Sequence, residues 1–164
     1  MKLSLKEIAV YLRTGGIPPD GALAERALEL AAEAPLEPRG IFLRDNNRFL
    51  LCGTIGAAFD RWQRRLATMS AADALITQAI GTAAVEKTMD NLESEIKTTL
   101  AGGESLRPRR SPGYGDIALA MNRDIIERLD AAKRIGVSFT DAMTLLPAKS
   151  VTAICEVTQA DHNR

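Results

Sequence analysis

The sequence predicts an α+β fold, a single domain over residues 1–164 with several helices around a small, twisted, mainly antiparallel sheet. Three observations predict it. Residues 71–100 keep an apolar period near 3.6 over a stretch long enough to cross a core. Two short apolar runs, Ile41-Phe42-Leu43 and Phe49-Leu50-Leu51, flank Asp45-Asn46-Asn47 as the arms of a hairpin would. The remaining β-type segments lie late in the chain, after the helices, and its length is that of one ordinary domain.

Ser4 followed by Glu7 has the spacing of a capping box and starts a helix over 5–13 that Gly15 and Gly16 end. Pro18, Pro19 and Asp20 open a second helix with Leu23, Ala27, Leu30 and Ala31 on one face, and Pro35 and Pro38 stop it. These segments form a helical lead-in over 1–39, and residues 40–164 form the core. After the hairpin, Gly53-Thr54-Ile55-Gly56 reads as a turn-like break, and 57–67 as a helix with Phe59, Trp62 and Leu66 on one side. Ser70 with Asp73 caps the long helix, which Ala101-Gly102-Gly103 ends. Residues 106–115 form a loop rich in Arg, Pro and Gly. A helix is predicted over 117–129, a strand around Ile135, Val137 and Thr140, and another over 150–158.

Twenty-one basic residues balance twenty-one acidic ones, so no positive field gathers nucleic acid or an anionic membrane. Charged residues interrupt the apolar positions of 1–16, as they would not in a signal peptide, and no run of roughly eighteen apolar residues provides a membrane span. The expected location is the cytoplasm. Cys52, Cys155 and His162 make no CxxC pair and no cluster, so neither a disulfide scaffold nor a protein-held metal is expected, and both thiols are read as buried. His162 is near the carboxyl end and receives no role. Asp60 and Glu86 are candidates for a carboxylate pair, but on helices such residues are usually solvated or ion-paired. Lys149-Ser150 lacks the glycines of a phosphate-binding loop. No triad is present, and no catalytic residue is expected.

The most unusual segment is Arg107-Pro108-Arg109-Arg110-Ser111-Pro112-Gly113-Tyr114-Gly115-Asp116. Pro112 fixes one backbone angle while Gly113 and Gly115 permit positive φ, so a ligand can lie against bare backbone. Tyr114 adds an aromatic face beside guanidinium groups suited to a carboxylate. On residue chemistry alone such a segment is a turn first and a binding loop second.

Arg109-Arg110-Ser111-Pro112-Gly113-Tyr114-Gly115 resembles the Arg-x-x-Pro-Gly-Tyr motif that binds S-adenosylmethionine in the activation domain of cobalamin-dependent methionine synthase. Leu129-Asp130-Ala131, Arg134-Ile135-Gly136-Val137, Thr140-Asp141 and Pro147-Ala148-Lys149-Ser150-Val151 look like that family's next segments in the same order. Upstream, Gly53-Thr54-Ile55-Gly56 with Asp60, and Ala83-Ala84-Val85-Glu86, look like its Thr-Leu-Gly and helical Glu segments.

The resemblance implies a methionine synthase activation domain-like fold with its binding loop at 104–116. It implies a module of methionine biosynthesis that positions S-adenosylmethionine for reductive remethylation of cob(II)alamin, as a component of a methyltransferase without a catalytic side chain of its own. Arg109 would hold the ligand's carboxylate. The Ser111 backbone and Tyr114 would border its adenosine and sulfonium, with Pro112, Gly113 and Gly115 shaping the loop, and Glu104 would take the amine. Cobalamin would be held by a partner, either a cobalamin-binding domain or a methionine synthase chain, with a flavodoxin-like electron donor. The alternative expectation is a non-catalytic interaction module of the same fold that has lost S-adenosylmethionine binding.

Overall fold

A computed structural model describes residues 1–12 and 17–159. The first helix stops at Ala9, short of the expected 13, and residues 10–12 form a turn; Gly15, Gly16 and His162 lie outside the described residues. Helix α1, Leu5–Ala9, starts with the expected capping box: the Glu7 amide donates to Ser4 Oγ at 3.3 Å and the Ser4 amide donates to Glu7 Oε2 at 2.7 Å. Helix α2, Gly21–Glu33, follows Asp20 and buries Ala27 and Leu30.

Strands β1 (Arg39–Asp45) and β2 (Arg48–Thr54) form the hairpin, closed by Asn46-Asn47 with Asn46 at φ 55°. Strand β3 (Glu104–Leu106) lies in what the sequence predicts as the end of a helix and the start of a loop. Its three residues are too few to carry a pattern. The long carboxyl-terminal strand, Ser150–Gln159, is here β6 (β4 and β5 are defined below), and the sheet order is β1-β2-β6-β3 with every pairing antiparallel.

β2 and β6 occupy the middle of the sheet and are covered on both faces. Phe49 and Leu51, with Ala153 and Cys155 opposite them, face one apolar cluster; Leu50 and Cys52, with Ile154, face the other. A strand buried on both sides has no polar alternation, which is why 49–52 reads as an unbroken apolar run. β2 also continues through Gly53 and Thr54, where the sequence predicts a break. Gly53 sits there because a Cβ would come within 2.7 Å of Met89 Sδ, so helix and sheet need the missing side chain.

Helix α3, Ala57–Ala67, matches its expected bounds and seats Phe59, which has no exposed surface. Helix α4, Ala71–Thr99, begins at Ser70, whose hydroxyl accepts from the Asp73 amide at 3.1 Å. Its 29 residues extend for about 43 Å. The first half packs in one cluster with Ile8, Leu30 and Phe59 of the other helices, and the second half lays Met89, Leu92 and Ile96 on the sheet.

The other face of the sheet is covered by helices α5 (Met121–Leu129) and α6 (Ala131–Ile135), followed by the short pair β4 (Ser138–Phe139) and β5 (Leu145–Leu146). Two expectations change here. The predicted helix over 117–129 becomes regular only at Met121, because 118–123 close three-residue turns first. The strand predicted around Ile135, Val137 and Thr140 is found only as β4, and Ile135 itself ends α6: Asp130 takes a left-handed conformation that breaks the helix and lets it restart, so Ala131 and Ile135 reach the sheet as helix residues. No helix among the described residues is long and apolar enough to cross a membrane.

Candidate functional site

The segment after β3 does not leave the sheet at once. The Arg107 amide donates to Glu156 O at 2.9 Å, and Arg110 and Ile154 exchange two backbone bonds of 2.9 Å. Between the pairs Leu106↔Val157 and Arg110↔Ile154 the register slips by one residue, so the strip around Pro108-Arg109 is a bulge against β6. Pro108, which has no N–H to give to a ladder, suits that place. Bulges re-aim side chains, and here Arg109 reaches α4.

Two successive turns follow. The Tyr114 amide donates to Ser111 O at 3.3 Å, with Pro112 and Gly113 between them and Gly113 at φ 90°, the geometry of a type II turn. The Ile117 amide then donates to Tyr114 O at 3.2 Å across Gly115, at φ 60°. The Gly113 amide closes both turns by donating to Ile117 O at 2.8 Å. Pro112 is buried beneath, while Gly113, Tyr114 and Gly115 face outward, Tyr114 with 74% of its surface exposed. A depression of about 380 Å³ opens beside the loop, lined by Glu86, Arg109, Arg110, Ser111, Tyr114, Gly115, Asp116 and Val151.

Arg109 is not free in it. Its Nη2 donates to Glu86 Oε2 at 2.6 Å, and Nη1 donates to Asp90 Oδ1 at 2.7 Å and to Glu93. Burial works against the guanidinium charge, but Glu93, Asp90 and Glu86 outweigh it and hold the pKa above its ordinary value. Arg110 donates to Asp116 at 2.8 Å and to Glu156 at 2.9 Å. Tyr11, in the turn after α1, stands near the same acids: its phenol pKa is raised by burial and then by Glu86 and Asp90.

Of the residues singled out in the sequence, Arg109, Ser111, Tyr114 and Gly115 line one depression, and Pro112 and Gly113 build the turn beside it. Glu104 goes elsewhere. It sits on β3, where Arg44 donates to both of its oxygens at 2.6 and 3.1 Å and the Ala101 amide adds a third bond; Arg44 first, then that amide, lowers its pKa. The acid beside Arg109 is Glu86, and with it Asp90 and Glu93. The sequence reading passed over these as a set, although spacings of four and three place them on one stripe of α4. Asp60 is not paired with Glu86: its Oδ2 accepts from the Ala148 amide at 2.7 Å, joining α3 to the segment before β6. Cys52 and Cys155 are buried, and burial pushes each thiol up to about 12.

No protein-family model matches the sequence, and no curated protein matches it. Among solved structures, the chain is similar to the MetH reactivation domain bound to AdoHcy, with a TM-score of 0.60 over 88% of this chain and 69% of that one, at 15% sequence identity. The fold is shared with the MetH reactivation domain. The expected α+β class with its small antiparallel sheet is therefore found.

Proposed function

We propose that this chain is an adenosyl-binding reactivation module, which holds S-adenosylmethionine at the 109–116 loop and presents its methyl group to cobalamin on a partner domain of a methionine synthase system. The observation that carries this reading is the double turn with its outward Tyr114 beside a depression of about 380 Å³, in a fold shared with a domain bound to AdoHcy. That volume is within the range of small-ligand sites. When bound, the ligand would supply an electrophilic methyl group on sulfur. The chain's own residues would bind and orient it: Tyr114 gives an aromatic face to the adenine or sulfonium, and the Ser111 backbone and Gly115 allow close approach. Fixing the methyl carbon against a docked partner makes the transfer near-unimolecular, which needs no nucleophile or base from this chain. A flavodoxin-like donor would supply the electron to the partner.

Calorimetric titration with S-adenosylmethionine tests this. Saturable binding, weakened at least about tenfold in Tyr114→Ala, is expected; no heat at millimolar ligand would overturn it. One observation favours a second reading, an interaction module that docks on a cobalamin domain without an adenosyl ligand: Arg109 already carries carboxylate partners. Under that reading, co-elution with the cobalamin domain would not depend on S-adenosylmethionine.

A further inference from the structure

Seven of the described arginines sit against carboxylates. The outward face of α3 is different. Arg61, Arg64 and Arg65 are exposed there, and among the described residues none of them has a side-chain partner. Like charges three and four positions apart repel on a helix. Asp60, the acid of α3, does not relieve them: its Oδ2 accepts from the Ala148 amide at 2.7 Å and its Oδ1 is buried.

The outward face of α2 carries the opposite charge. Glu25, Glu29 and Glu33 recur every four residues, all exposed; Glu25 and Glu33 have no side-chain partner among the described residues, and Glu29 shares Arg26 with Asp73. With every charged residue counted, α2 has three acids and one arginine and α3 three arginines and one acid, so the two helices carry −2 and +2. Both are tied to α4, where Arg26 donates to Asp73 Oδ2 at 2.7 Å and Gln63 Nε2 to Gln78 Oε1 at 3.0 Å. Apolar side chains stand among the charges. Leu28, 45% exposed, lies within the acidic stripe, and Leu75, 66% exposed, is one turn before Gln78 on α4. A net charge of zero leaves no overall repulsion between copies of the chain.

We propose that this surface joins two copies of the chain, the α2 stripe of each against the α3 stripe of the other. A two-fold axis that sets one such pair also sets the second, so the contact closes as a dimer and does not propagate. The leucines supply apolar contact and the charges select the pairing. A foreign acidic protein would satisfy α3 and leave α2 bare, whereas a second copy satisfies both. The proposal goes beyond the adenosyl reading, and none of these residues lines the depression at the loop.

Sedimentation equilibrium of the full chain tests it with two variants. One reverses α3 (Arg61→Glu, Arg64→Glu, Arg65→Glu) and the other reverses α2 (Glu25→Arg, Glu29→Arg, Glu33→Arg). The parent should self-associate, and less so as salt rises from about 0.1 to about 1 M, where the screening length falls to about 3 Å. Each variant alone should associate at least about tenfold more weakly, because its stripes repel. An equimolar mixture of the two should regain association, since each α2 again meets an α3 of opposite charge. Should a reversal not fold, Arg61→Gln, Arg64→Gln, Arg65→Gln should show the same loss. A monomeric parent at millimolar chain, variants that associate as the parent does, or a mixture of folded variants that stays monomeric would overturn the proposal. Polyglutamate binding by a monomeric parent, lost in the α3 reversal, would overturn it in favour of an acidic foreign protein.

Discussion

The centre of the sheet and the loop at its edge are held by different means. Leu50, Leu51, Ala153 and Cys155 have no exposed surface, and their partners are hydrocarbon from α4 on one side and α5 and α6 on the other. The 111–117 loop rests on two turns, a buried proline and the ion pairs of Arg109 and Arg110. Burial depends on volume and tolerates exchange of similar side chains. A turn with positive φ, or a guanidinium clasp, depends on particular residues. The tolerance of a buried core accounts for a fold shared at 15% identity.

The largest effect is expected where burial is complete. Phe59→Ala should cost about 3 to 5 kcal/mol of stability, read by denaturant unfolding, with affinity for adenosyl ligand unchanged in the folded protein. A loss of affinity there would mean that core and loop are coupled.

Next is the clasp. Arg109→Ala leaves Glu86, Asp90 and Glu93 facing one another, and Glu93 keeps only 15% side-chain exposure, so a loss of about 2 kcal/mol is expected. It should weaken S-adenosylmethionine binding as well. Stability within about 0.5 kcal/mol of the parent would show that the ion pairs do not hold the loop.

A smaller effect is expected on the lead-in. The Lys87 hydrogen bond, followed by those of Ser4, lowers the Glu7 carboxyl from its ordinary 4.5 to about 2. A depressed carboxyl stabilises the fold when ionised, so its contribution is complete above pH 4.5 and is lost as pH falls towards 2. Because the pair is over a third exposed, screening limits it to about 0.5 kcal/mol. Melting temperatures across that window should fall less steeply in Lys87→Met than in the parent; equal slopes would remove the pair from the account.

The smallest effect on stability sharpens the contrast most. Tyr114→Ala should leave unfolding within about 0.5 kcal/mol of the parent while reducing ligand affinity. A large loss of stability would place Tyr114 in the fold instead of at a site.

Much of the fold was legible because its signals are local. The Ser4 and Ser70 caps, the Asn46-Asn47 turn and the period of α4 each lie within one element. β3 was not legible, since three residues beside a long strand gain their state from the partner, and neither was α6, which depends on a left-handed Asp130. The turn at 111–117 was readable from Pro112, Gly113 and Gly115. The Arg109 clasp was not, because it joins residues up to 23 positions apart, and their proximity follows only from the bulge against β6.

The most direct test of the central claim, an adenosyl site on this loop, is thermal unfolding of the parent chain and of Tyr114→Ala with and without S-adenosylmethionine. Ligand at a hundred times its dissociation constant should stabilise the parent by about 2.7 kcal/mol, a rise of roughly 5 to 10 °C for a chain of this size, with little rise in Tyr114→Ala. An unchanged melting temperature at millimolar ligand, or an equal rise in both proteins, would contradict the claim.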